Sequence, residues 1–266
     1  MNIIVCVKQI PDPEIPATKF KLDAEGKNIV TPEGIPPVIN PYDEQAVEVA
    51  LKIKEKHGGK IAVLTIGNDS VTAVVKHALA MGADEGFLLQ DQAFEASDSF
   101  STAYILSRAI HKIKGYDLVL CGRQAADWEE GLVGSILAEN LGHPLVTLAE
   151  SIDFIQGRLR VKRVILGGYQ VFDVSPPAII TVSHEAGPPR LPSGWGIISA
   201  SKKEIQVWNA ENIAADLSRI GREACRKKLV RLYIPEKKRK CEILEGDTLE
   251  EAVVGLIEKL RERGAL

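Results

Sequence analysis

Residues 117–144 read DLVLCGRQAADWEEGLVGSILAENLGHP. The run Asp117–Cys121 (DLVLC) is short and apolar after its first residue, which predicts a buried strand. Val133, Ile136, Leu137 and Leu141 recur at helical spacing. They predict a helix from about Glu130 to Leu141. A strand, a loop of small and polar residues and a helix make one step of a β–α alternation.

The same alternation extends toward the N-terminus. Asn2–Val7 (NIIVCV), Lys60–Ile66 (KIAVLTI) and Glu85–Leu89 read as further strands. A helix starts near Pro41 or Tyr42, with Ala46, Val49, Ala50 and Ile53 on one face. Asp43 and Glu44 sit in its first turn, where the helix dipole favours acids. A second helix covers Ser70–Met81, with Val71, Val74, Val75 and Ala78 inward. A third carries Ala103, Leu106, Ile110 and Ile113 and begins at an Asp98–Ser99 cap. Between the first strand and first helix lies a Pro-rich loop, Gln9–Pro41, in which Thr18–Leu22 alternates weakly as a short strand.

Beyond Pro144 the period changes to two. Arg158–Val164 (RLRVKRV) alternates strictly after a tight IQGR turn. The expectation is a hairpin of Ser151–Ile155 with Leu159–Ile165, then strands Gln170–Val174 and Ala178–Val182. Together these elements predict an α/β fold. It is an open, mostly parallel sheet with helices on both faces and an antiparallel edge hairpin.

The division expected is a nucleotide-binding α/β domain at 1–185 and a tail at 186–266. His184–Gly196 (HEAGPPRLPSGWG) is rich in Pro and Gly and reads as a loop or extended arm. Ala200–Gly246 is polar and basic, with RKK at Arg226–Lys228 and EKKRK at Glu236–Lys240. Thr248–Arg261 is amphipathic through Leu249, Val253, Leu256, Ile257 and Leu260. Such a tail either reaches across another protein or packs back on its own domain.

Composition bounds the function. The chain has 266 residues, 45% hydrophobic and 26% charged, with a formal net charge of -3. That is an ordinary globular balance, and it points away from nucleic acid as a partner. No apolar run approaches the ~20 residues needed to span a bilayer, so no membrane insertion is expected. The N-terminus MNIIVCVKQIPDP lacks the features of a secretory signal. Cys6, Cys121, Cys225 and Cys241 are scattered and form no CxxC pair, which fits a reducing cytoplasm.

In open α/β sheets ligands bind at the carboxyl ends of the parallel strands. Cys6–Pro11, Asn40–Asp43, Ile66–Asp69 and Cys121–Gly134 fall there. The last segment enters a helix carrying Gly131 and Gly134, where backbone amides can hold a phosphate. Arg123 can neutralise that phosphate, and Gln124 and Asn40 can bind a base or ribose edge. The segment is neither GxGxxG nor GxxxxGK[ST], so Gly131 and Gly134 can equally serve helix packing. Asp127, Glu129 and Glu130 read as acids that cap the helix rather than as acid–base catalysts. The five histidines show no metal-ligand spacing, and there is no GxSxG elbow.

At these same segments the chain resembles the β (small) subunits of electron transfer flavoproteins. The matching stretches are VKQIPDP at 7–13, NPYDEQAVEVALKIKE at 40–55, ALAMGAD at 78–84, residues 121–144 and PRLPSGWGIISASKKEI at 189–205, in order. The resemblance implies a fold like the adenine nucleotide α-hydrolases. It implies an electron carrier subunit rather than a stand-alone enzyme, paired obligately with an α subunit that bears the redox FAD. This subunit would hold AMP, or a second FAD in electron-bifurcating members. By position, the nucleotide would touch Cys6, Asn40, Pro41, Tyr42, Asp43, Ile66, Gly122, Arg123, Gln124, Asp127, Gly131, Leu132 and Val133, beside Gly134. Ser193, Gly194, Trp195 and Gly196 would dock an acyl-CoA dehydrogenase-type donor, and the tail would wrap the α subunit. Electrons would pass to a quinone- or ferredoxin-linked acceptor, or come from NADH in the bifurcating form.

The sequence departs from the family at several of these positions. Leu132 stands where members usually carry Gln, and Val133 where many AMP-binding members have Thr, as in bifurcating members. Trp128 and Glu129 replace the small residues of bifurcating members, and Gly194 and Trp195 replace an aliphatic residue in the arm. AMP and FAD both stay open. An ATP-using enzyme of related fold would carry a Gly-rich loop where VKQIPDP stands; a nucleotide-sensing regulatory module is the remaining alternative.

Overall fold

The computed structural model describes residues 1–16, 18–235, 241, 243, 244 and 246–266. The basic run Glu236–Lys240 lies outside the described residues. Nine strands form the main sheet: β1 Ile3–Cys6, β2 Ile61–Ile66, β3 Glu85–Leu89, β4 Leu118–Gly122, β5 Leu145–Ile155, β6 Arg158–Ile165, β7 Gly168–Val174, β8 Ala178–Val182 and β9 Ile205–Trp208. Their order is β7-β6-β5-β8-β4-β1-β2-β3-β9. Pairings from β5 to β9 along this order are parallel, and β6 pairs antiparallel with both β5 and β7. The α/β class and the antiparallel edge expected from the sequence are both observed.

Helices α1 Pro41–His57, α2 Thr72–Met81, α3 Ser99–Ile113 and α4 Val133–Leu141 follow β1 to β4 in turn. Strand alternation divides the core between two faces. Ile3 and Val5 of β1 and Leu118 and Leu120 of β4 pack with Ala46, Ala50, Val74 and Ala78 of α1 and α2. Ile4, Cys6, Val119 and Cys121 pack with Ala103, Ile110, Leu137 and Leu141 of α3 and α4. Strands buried on both faces explain why they read as unbroken apolar runs.

The sheet turns back on itself at one place. From β1 the chain builds outward to β2 and β3, then crosses to β4 on the other side of β1. The strand order reverses between β1 and β4, and this is where such sheets open a crevice at their carboxyl ends.

Residues 1–231 form one compact unit and 232–266 a second. The expected boundary at 185/186 falls inside the first unit. Two elements there escape the sequence reading. Gly194–Lys202 is a helix, α5, where Pro and Gly suggested an irregular arm; the Ser193 hydroxyl caps it by accepting the Gly196 N–H at 3.0 Å. Ile205–Trp208 is the edge strand β9, parallel to β3.

After β9 the chain runs back along α3 as a strap. Four α3 residues spaced four apart, one above the next on the helix surface, hold it. Lys112 lies over the Trp208 ring and donates to the Asn212 carbonyl at 2.8 Å. Arg108 donates to the Ile213 carbonyl. The Tyr104 hydroxyl accepts the Asp216 N–H at 3.0 Å, and Arg219 covers its ring. Arg226 stacks over Phe100. Ala210, Ile213 and Ile220 are buried on the α3 side of the sheet. At least to residue 227, the tail packs on its own domain.

In the second unit, α6 (Leu249–Glu262) is capped by Thr248, whose hydroxyl accepts the Glu251 N–H. Leu249, Val253, Leu256 and Ile257 are exposed on it. Among the described residues no helix is long and apolar enough to cross a membrane.

Candidate functional site

The strand ends at the reversal point are tied together by one buried carboxylate. Asp43, in the first turn of α1, accepts the Lys8 N–H at 2.8 Å just past the end of β1. Its other oxygen accepts the Gly122 N–H at 2.9 Å, at the end of β4. One side chain thus fixes the two strand ends at the reversal point. Burial pushes its pKa from 3.8 up to about 7, against the hydrogen bonds from Asn40, Gly122 and Lys8 that favour the anion. Gly122 is required here: a Cβ would lie 2.5 Å from Asp43 Oδ1 and 2.6 Å from Tyr42 Cβ.

The loop from β4 to α4 is fastened at three points. Asn40, only 1% exposed, donates through its side-chain amide to the Gln124 carbonyl at 2.9 Å and accepts the Ala126 N–H at 3.1 Å. Lys8 Nζ reaches both Asp127 oxygens, at 2.8 and 2.7 Å. Glu130 accepts from the Ser99 hydroxyl and pairs with Lys227 at 3.1 Å. Glu129 and Gly131 both take positive φ, 53° and 62°.

Helix α4 therefore starts at Val133, after a left-handed turn, rather than near Glu130. The three carboxylates do not cap it. Asp127 and Glu130 anchor the loop, and Leu132 at the cap position offers no side-chain bond. The first intrahelical bond in the α4 opening runs from the Ile136 N–H to the Leu132 carbonyl at 3.0 Å. The amides of Val133, Gly134 and Ser135 precede it and are the ones a helix start offers an anion. Gly134 serves packing as well, since a Cβ would meet Thr181 Cγ2 at 2.6 Å.

Other expected site residues take distinct places. Arg123 lies 5.9 Å from the Tyr42 ring. Pro41 opens α1 and Ile66 closes β2, both at the same end of the sheet. Cys6 is buried on the α3/α4 face beside Cys121. The hydrogen bond with Cys121, with burial, pushes its thiol well above the ordinary value. Asn40 was expected on a base or ribose edge, but its amide is committed to the loop backbone. Lys8, Ser99 and Lys227 belong to the site's frame and were not singled out from the sequence. Only Lys8, inside VKQIPDP, stood in a segment flagged for the strand end.

A second feature lies apart on α5. Trp195 is 83% exposed, and Leu191, Ile197 and Ile198 are exposed beside it in the chain. From behind, α5 is held tightly. Lys76 Nζ of α2 donates to the carbonyls of Ala200, Ser201 and Lys203 at 2.8, 3.3 and 2.5 Å. Gly196 lets the helices close up, since a Cβ would lie 2.2 Å from the Ala80 carbonyl oxygen. Arg190, leading into α5, pairs with Glu48 at 2.7 Å and with Glu55 at 2.5 Å. Ser193 and Gly194 complete the turn into the helix.

The fold is that of an open α/β protein whose strand order reverses between β1 and β4. Residues 28–213 match the electron transfer flavoprotein domain family. The chain is 39% identical over 264 residues, 99% of both chains, to an electron transfer flavoprotein subunit beta from Thermoanaerobacterium thermosaccharolyticum. It is 36% identical, again across 99% of both, to the Caffeyl-CoA reductase-Etf complex subunit CarD of Acetobacterium woodii. It is 33% identical, across 99% of both, to the Acryloyl-CoA reductase electron transfer subunit gamma of Anaerotignum propionicum. The chain belongs to the electron transfer flavoprotein family, as a β subunit.

Proposed function

We propose that this chain holds an adenine nucleotide in the crevice between β1 and β4 and serves, with an FAD-bearing α subunit, as an electron carrier. The carrying observation is the ordered set of bonds at the strand reversal. The strand ends are fixed by Asp43, the loop that follows β4 is clamped by Asn40 and Lys8, and that loop leads into the start of α4. These residues fit the ligand in kind. The Val133, Gly134 and Ser135 amides suit a phosphate, Arg123 supplies a balancing charge, and the Tyr42 ring offers an apolar wall. A bound FAD supplies the electron-accepting ring; the α subunit would carry the one that reacts. This chain's residues do no proton transfer in that reading. They bind and orient the nucleotide and present a docking face.

The docking face is α5. Trp195, exposed and flanked by Gly194 and Gly196, suits an anchor that inserts into a partner's pocket. The partner class proposed is a flavin-dependent acyl-CoA dehydrogenase or reductase, in keeping with the acyl-CoA reductases named for two relatives. The exposed apolar face of α6 would pack on the α subunit. A quinone- or ferredoxin-linked acceptor and a cytoplasmic location complete the proposal.

A second reading puts FAD rather than AMP in this subunit, as an electron-bifurcating form fed by NADH. Val133 at the first position of α4 favours it, because no side-chain hydroxyl is there for a terminal phosphate. One experiment tests both. The chain is produced with its α subunit, the purified complex is denatured, and released FAD and AMP are quantified. One FAD with one AMP per pair supports simple transfer, and two FAD support bifurcation. A complex without flavin overturns the proposal.

A further inference from the structure

Three segments meet beside the nucleotide loop. The Asp98 carboxylate divides its oxygens between two of them. Oδ1 caps α3, accepting the Phe100 and Ser101 N–H groups, both at 3.0 Å. Oδ2 accepts the N–H groups of Arg226 and Lys227 at 2.7 and 3.1 Å, fixing the end of the strap. The third segment is the loop itself, through Glu130. Ser99, the residue after the cap, donates to Glu130, and Lys227 pairs with it at 3.1 Å. Cys225 adds a hold on the strap by donating to the Ala96 carbonyl at 3.0 Å.

We propose that Lys227 is a positioning residue for the nucleotide loop: the strap's end clasps Glu130 and sets the approach to α4. This rests on the reading that the nucleotide lies in that loop. Glu130 sits between Glu129 and Gly131, both left-handed. A side chain resists that conformation at Glu129, so the turn needs holding from outside. Asn40 and Lys8 hold the loop on the α1 side; Glu130 is its hold on the α3 side.

Exposed ion pairs often contribute little, because two long side chains must be ordered to make them. Here much of that ordering is done by other bonds. Main-chain bonds to Asp98 fix the backbone of Lys227, and Ser99 fixes the Glu130 carboxylate. The Ser99 hydrogen bond, with Lys227 behind it, holds the Glu130 carboxyl below the ordinary carboxylate range. The sequence reading placed the basic residues 226–228 in a tail that either reaches across another protein or packs back on its own domain. The structure gives Arg226 an aromatic seat on Phe100 and gives Lys227 the loop.

The test uses the complex of this chain with its α subunit, stripped of nucleotide and titrated separately with AMP and with FAD. Lys227→Met should weaken the nucleotide that the wild type binds by about threefold to fivefold, the range of a well-ordered exposed pair. The loss should appear as faster release. Lys227→Arg should restore affinity, and the exchange Lys227→Glu with Glu130→Lys should recover part of it. A merely structural role would not give that rescue. If Lys227→Met fails to fold, Glu130→Gln carries the same expectation. A wild type that binds, with both single variants within roughly twofold of it, overturns the clasp alone. A wild type that takes up neither nucleotide overturns the functional reading beneath it.

Discussion

The strand reversal and helix α5, proposed as nucleotide site and docking face, are built on opposite plans. At the crevice, buried polar atoms face inward and are satisfied by backbone: Asp43 takes the Lys8 and Gly122 amides, and Asn40 takes Gln124 and Ala126. At α5, apolar side chains face solvent, and the polar bonds lie behind them, from Lys76 and Arg190. The difference suits two kinds of ligand. A small polar ligand needs donors held in place before it arrives. A protein surface needs an apolar anchor on a rigid mount. If the two plans are independent, a change at one site should leave the other intact, and each variant below tests that separation.

The largest expected effect is the pH response of Asp43. Its pKa is near 7 folded and 3.8 unfolded, so the folded state holds the proton more tightly. Its contribution to stability is therefore greatest below pH 4, falls as pH rises through the window to 7, and is level above it. At about 1.4 kcal/mol per pKa unit the fall is up to about 4 kcal/mol. Urea unfolding of wild type and Asp43→Asn from pH 4 to 8 should give curves that differ by this slope, since other carboxylates cancel in the difference. Parallel curves would show that the Asp43 pKa is not raised in the folded state. Gly122→Ala comes next. Its Cβ meets the Tyr42 backbone carbon at 2.8 Å as well as Asp43, and neither can withdraw without moving the α1 start. We expect about 3 kcal/mol lost in urea unfolding, with loss of bound nucleotide. Docking through α5 should survive in whatever fraction folds.

The same contrast governs what could be read from sequence. Strands buried on both faces, such as those within NIIVCV and KIAVLTI, announce themselves as apolar runs, interrupted inside only by Thr65. The edge strand β9 has only four residues, half of them outward, and carries no such signal. Helix α5 was hidden by Gly194 and Gly196, which lower helix propensity. Gly196 is nonetheless required by the close approach to Ala80, a tertiary fact absent from local sequence. The strap was hidden because arginines stacked on rings look the same in sequence as arginines in water. At the strand reversal, the strand-end rule pointed to segments that the fold brings together. It could not show that Asn40 bonds to the loop and Asp127 to Lys8, because those partners lie 86 and 119 residues away in the chain.

At α5 the expected effects are smaller and more selective. Trp195→Ala removes the exposed ring while leaving Ser193, Lys76 and Gly196 to hold α5. Electron transfer with the proposed partner, an acyl-CoA dehydrogenase or reductase, should show a rise in KM of about thirtyfold, equivalent to roughly 2 kcal/mol for a hot-spot aromatic. Nucleotide content should not change. An unchanged KM would remove Trp195 from the docking surface.

Lys76→Met is the finest test, because Lys76 touches only the back of α5. Its ammonium satisfies three carbonyls at the end of that helix, where the dipole also favours a cation. Removing it should cost α5 about 1 kcal/mol, read as faster amide hydrogen exchange across Gly194–Lys202. If the anchor depends on a rigid mount, KM for the partner should rise several-fold while nucleotide affinity stays constant. Lys76→Arg, which keeps the charge and the donors, should behave nearly as wild type. Faster exchange with an unchanged KM would separate rigidity from docking. It would mean that the apolar face is captured by its partner whether or not α5 is held in advance.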